Sequence, residues 1–75
     1  MGSKYPVLSP KQVIKALEKI DFHFISQKCS HAKYKNSASP VNIVIIPMHS
    51  ELAKGTLKSI LEQADISLDD FLNLL

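Results

Sequence analysis

His31 stands among lysines, with Lys28, Lys33 and Lys35 close on either side and Ser30 immediately before it. An imidazole carries protons near neutral pH and fixed ammonium groups attract phosphates, so the pair of residue types is the minimum equipment for cutting RNA without a metal. In such a reaction a base removes the ribose 2'-OH proton, the oxygen attacks phosphorus, and the 5'-oxygen leaves with a proton from an acid. His31 is the acid-base candidate, and Lys28, Lys33 and Lys35 are placed to stabilise the phosphorane. His49, in the segment Pro47-Met48-His49, is the candidate for a second proton carrier, and His23 a weaker one. Each histidine also has a plain structural reading, as a solvated strand residue or a hydrogen-bonding group near a helix start. Ser30 either orients substrate or closes a turn, since no acid stands at a spacing that would make it a hydrolase nucleophile.

The elements that position these residues can be read from periodicity. Ser9-Pro10-Lys11-Gln12 has the form of a helix start, with Ser9 as N-cap, Pro10 in the first turn and Gln12 completing a capping box. The helix runs to about Ile20, with Val13, Leu17 and Ile20 on one stripe and Lys11, Lys15 and Lys19 facing solvent. Residues 22–27 form a first strand. Residues 30–35 alternate, placing Ala32 and Tyr34 on one face and His31, Lys33 and Lys35 on the other. Residues 36–40 are a loop by composition, residues 41–46 a strand that Pro47 closes, and Leu57, Ile60, Leu61 and Ala64 define a second helix. Ser67 caps a short C-terminal helix with Asp69 and Asp70 in its first turn. The fold expected is α+β, an α-β-β-β-α order with helices on one face of a three-stranded antiparallel sheet. His31, Lys33, Lys35, Asn42 and His23 are then expected on the open face with Val44 and Ile46, which lack obvious cover and suggest a protein partner.

At 75 residues the chain is one domain, residues 9–75, preceded by a short tail over residues 1–8. Its 45% hydrophobic and 21% charged content is ordinary for a globular protein and argues against disorder. The single Cys29 excludes an intramolecular disulfide, no cysteine-histidine spacing suggests a metal site, and no cofactor is implied. Neither a signal peptide nor a membrane span is legible, and a cytoplasmic location is expected. The net charge of +2 is unevenly spread: residues 1–35 carry seven lysines against two acids, and residues 36–75 two lysines against five acids. One basic face follows from that asymmetry. With no arginine in the chain, its charges suit backbone phosphates better than base edges.

Taken in order, Lys15-Ala16-Leu17, Phe22, Ser30-His31, Pro47-Met48-His49 and Gly55-Thr56-Leu57-Lys58-Ser59-Ile60-Leu61 resemble the HicA family of small mRNA-cleaving toxins over residues 9–75. The resemblance implies a double-stranded-RNA-binding-domain-like fold, ribosome-independent cleavage of single-stranded mRNA, translation inhibition, and neutralisation by a cognate HicB-type antitoxin. It also implies that His31, at the position of the family's Gly-Ser-His histidine, is catalytic, and that the chain is a monomer when free and a hetero-oligomer with antitoxin. Cys29 replaces the glycine before Ser-His, and Asp21 replaces the glycine before the first strand's aromatic. Asp tolerates positive φ, whereas Cys29 adds a side chain beside the site. Two other readings stay open, a non-catalytic RNA-binding module of the same fold and a protein-interaction domain using Val44, Ile46 and residues 71–75.

Overall fold

A computed structural model describes residues 5–37, 40–49 and 51–75. Residues 1–4 of the expected tail and Ala38 and Ser39 of the expected loop lie outside these. The order is α1 (Pro10–Glu18), β1 (Phe22–Lys28), β2 (His31–Asn36), β3 (Ile43–Pro47), α2 (Lys54–Ala64) and α3 (Leu68–Leu72). The strands form one antiparallel sheet in the order β1-β2-β3. Helices α1 and α2 pack on β1 and β3, and α3 packs on α2, which is the expected α-β-β-β-α architecture.

Local chemistry sets the element ends. At α1 the Ser9 hydroxyl accepts from the Gln12 backbone N–H and Gln12 Oε1 accepts from the Ser9 N–H, closing the capping box with Pro10 just inside. At α3 the Ser67 hydroxyl accepts from the Asp70 N–H at 3.1 Å. Positive φ appears at Asp21, Cys29 and Asp65, each where the chain leaves one element for the next. Two residues before α1, Leu8 is buried and bridges Leu52, whose N–H donates to the Leu8 carbonyl at 2.9 Å.

The core lies between the sheet and the helices. Val13, Ala16 and Leu17 of α1, Leu57, Ile60, Leu61 and Ala64 of α2, and Phe71 of α3 meet Phe22, Ala32, Tyr34, Val44 and Ile46 from the strands. Val44 and Ile46 are therefore not open-face residues available to a partner, as their lack of obvious cover had suggested; both are 0% exposed. The reason is register. Lys33 pairs with Ile45 and Tyr34 with Val44, and cross-strand partners share a face, so the odd-numbered residues of β3 accompany His31 and the even-numbered ones go inward. Asn42 is likewise half-buried, its N–H donating to the Asn36 carboxamide oxygen at 2.6 Å. On the far side of β3, the Ile45 N–H donates to Gln63 Oε1 of α2 at 3.0 Å.

Burial next to β1 also acts on Tyr34. Desolvation, with the Glu18 carboxylate adding to it, raises the Tyr34 phenol above its ordinary pKa. Its ring meets that of its partner Phe24 edge-on, with centroids 5.7 Å apart.

Candidate nucleic-acid interface

The site begins at the turn between β1 and β2, where Cys29 and Ser30 connect the strands. Cys29 takes φ 56, a conformation costly for a residue with a Cβ, and its carbonyl accepts from Gln27 Nε2 at 3.2 Å. The Ser30 carbonyl accepts from the Met48 N–H at 2.6 Å, so the turn is fastened to the segment leaving β3. His31, the first residue of β2, is exposed and sits between register partners Lys28 and Pro47.

A bulge decides what accompanies it. Phe24 pairs with Tyr34 and Ser26 with Lys33, leaving Ile25 as an extra residue in β1. An inserted residue reverses the alternation beyond it. Were Ile25 paired with Lys33 in a regular ladder, Ser26 would stand opposite Ala32 on the core side and Lys28 would follow it; with Ile25 bulged out of the pairing they join Lys33 and His31. The irregular alternation of residues 22–27 is the trace of this bulge in the sequence.

Three cross-strand rows therefore build the open face: His23, Lys35 and Ile43; Ser26, Lys33 and Ile45; Lys28, His31 and Pro47. The expected His23, Lys28, His31, Lys33 and Lys35 come together here, all exposed, and the rows contain no carboxylate. Ile43, 48% exposed, and the half-buried Ile45 line the β3 side. These two aliphatic residues are the ones sequence reasoning missed, because a strand that is apolar on both faces gives no parity signal by itself. The signal was available from β2: antiparallel pairing of His31 with Pro47 assigns every odd residue of β3 to the histidine's face. Ser30 is half-buried in the turn, where its carbonyl receives the Met48 N–H.

His49 falls elsewhere. It lines an open cleft of ≈ 330 Å³ with Ser9, Pro10, Lys11 and Met48, between the start of α1 and the segment after β3. Leu57, Ile60 and Leu61 of the Gly55-to-Leu61 motif are core residues, and a Cβ on Gly55 would meet open space. Among the described residues no group of three or more His, Cys, Asp or Glu side chains is gathered to hold a metal ion, and no helix is long and apolar enough to cross a membrane.

The face thus offers the His31 imidazole, paired with the Lys28 ammonium group across the hairpin, with two further ammonium groups and the His23 imidazole along the sheet. That arrangement can hold a polyanionic backbone and exchange a proton at one point along it. No curated protein sequence matches the chain. The family model described as HicA toxin of bacterial toxin-antitoxin matches residues 10–66, from the first residue of α1 to just past α2.

Proposed function

Because the chain belongs to the HicA toxin family, we propose that it is the toxin half of a toxin–antitoxin pair and an endoribonuclease that cuts single-stranded mRNA on the open face of its sheet. The observation that carries this reading is the pairing of His31 with Lys28 on a face whose three cross-strand rows hold no carboxylate to repel phosphate.

His31 exchanges the protons of the reaction. As a neutral imidazole it takes the 2'-OH proton while the 2'-oxygen attacks the adjacent phosphorus; the bond from phosphorus to the 5'-oxygen breaks, and that oxygen takes a proton from the imidazolium so formed, which returns His31 to the neutral state. Lys28 stands where charge develops on the phosphorane, and Lys33 and Lys35 hold flanking phosphates. Ser30 contributes by fixing the turn that presents His31. DNA lacks the nucleophile and survives. Substrate places the reaction in the cytoplasm. A HicB-type antitoxin neutralises the free monomer in a hetero-oligomer by covering this face, with Ile43 and Ile45 as apolar anchors beside the lysines.

The test is incubation of the purified protein with a defined single-stranded RNA in excess EDTA, beside His31→Ala. Cleavage by the unsubstituted protein alone, leaving a 2',3'-cyclic phosphate or its 3'-phosphate hydrolysis product, is the expected result. RNA binding without cleavage by either protein would make the chain a non-catalytic binder of the same fold.

A further inference from the structure

The lysines of the sheet face explain attraction to any RNA backbone but give no means of telling one base from another, since an ammonium group is a point charge and the chain has no arginine. The cleft that contains His49 has what the face lacks. It is lined by Ser9, Pro10, Lys11, Met48 and His49, which bring an imidazole, a thioether and an ammonium-bearing residue to one cleft with no carboxylate among the lining residues. Its ≈ 330 Å³ is small for a ligand pocket, at the lower end of the usual range of about 300–1,000 Å³. That suits a single planar group better than a peptide segment.

The cleft is also continuous with the catalytic row. Met48, one of its walls, donates its N–H to the carbonyl of Ser30, the residue before His31, and Pro47, the residue before Met48, is the register partner of His31. The opposite wall is held by the Ser9–Gln12 capping box, whose polar groups are engaged with one another. The cleft thus lies against the segment that pairs with the start of β2.

We infer that the cleft between the start of α1 and residues 47–49 is a nucleotide subsite, in which a base flanking the scissile phosphate stacks on His49 against Met48 and Pro10 while Lys11 holds its phosphate. Proteins read single-stranded RNA by splaying bases onto flat side chains, histidine included, and the positive charge of a neighbouring lysine tethers the backbone. This rests on the endoribonuclease reading, and it gives His49 a binding role in place of proton transfer. Lys11 thereby joins the substrate path from a helix face that otherwise looks merely solvated.

The experiment uses the full chain and a randomised single-stranded RNA, with sequenced product ends and steady-state rates on one cleaved substrate, for His49→Ala, His49→Phe and Lys11→Ala. His49→Ala is expected to flatten the nucleotide preference at one position beside the cut and to raise KM roughly fivefold to a hundredfold, the range for loss of one stacked base. His49→Phe keeps a flat ring without a transferable proton, so it retains the preference, with kcat within about threefold. Lys11→Ala raises KM and reduces its dependence on salt. Loss of kcat in His49→Phe would make His49 a proton carrier and overturn the subsite. An unaltered preference and KM in both His49→Ala and Lys11→Ala would overturn it as well. Should the unsubstituted chain cut no RNA, the endoribonuclease reading fails separately, and the subsite is decided by the binding of a short labelled RNA: weakened by both alanine variants it stands, unchanged by both it falls.

Discussion

Lys28 and His31 are register partners across the β1–β2 hairpin, and they share the open face because Ile25 is left out of the pairing as a bulge in β1. The two rows beyond place Lys33 and then Lys35 progressively farther from the histidine. Removing Lys28 by Lys28→Ala is expected to lower kcat by roughly 100- to 1,000-fold, as loss of a group that stabilises developing charge does. Lys35→Ala is expected to act through KM and to flatten its salt dependence. Rates at several ionic strengths separate the two; equal effects on kcat would mean the phosphorane does not sit beside Lys28.

Burial separates neighbouring residues of β3 that look alike. Ile46→Ala is expected to cost about 2–4 kcal/mol by leaving a cavity in the core. Ile43→Ala, at an exposed position, is expected to change stability by less than about 0.5 kcal/mol. Denaturant midpoints check both. Affinity for the antitoxin should show the opposite weighting, with Ile43→Ala weakening it.

Cys29 holds φ 56. A side chain there costs about 1–2 kcal/mol, and glycine gives back part of that through its greater freedom when unfolded, about 0.5–1 kcal/mol. Cys29→Gly is therefore expected to stabilise the fold by about 0.5–1 kcal/mol, read as a higher melting temperature. No gain would mean that the turn relaxes around the cysteine at little cost.

Tyr34 gives the fold an alkaline limit. Its phenol is held above the ordinary value of 10.0 by desolvation first and by the Glu18 carboxylate second. A raised folded pKa means that the native state keeps a proton the unfolded chain has lost. The stabilisation is whole below pH 10 and declines as pH rises from there through the folded pKa. Tyr34→Phe, which lacks the titrating group, is expected to show a shallower loss of stability over that window in denaturant titrations at stepped pH.

Much of this was legible where the signal is local. Ser9, Pro10 and Gln12 announce the start of α1 because a capping box is a matter of four consecutive residues, and the alternation of β2 places His31, Lys33 and Lys35 outward because polar and apolar types differ there. Residues 43–46 carry no such contrast, so their inward and outward members were settled by pairing with β2. The face of Lys28 depends on the Ile25 bulge, which nothing in composition marks clearly. The meeting of Lys11 with His49 needs the packing of α1 beside the end of β3, a relation between segments far apart in the chain. Asp21, standing where the resemblance places a glycine, did flag a position of positive φ, whereas Cys29 was legible only as an added side chain beside the site, and its own positive φ was not.

The Gln63 side chain has a consequence for behaviour at high concentration. By accepting from the Ile45 N–H, it occupies the outward position where an added strand would dock, and Pro47, two residues on, has no N–H to offer. Outward donors alternate along an edge strand, so within β3 Ile43 alone remains to template another chain. The opposite edge, β1, is kinked by its bulge. A basic, partly apolar sheet with one face uncovered is thus guarded at both margins against growing into a polymer of itself.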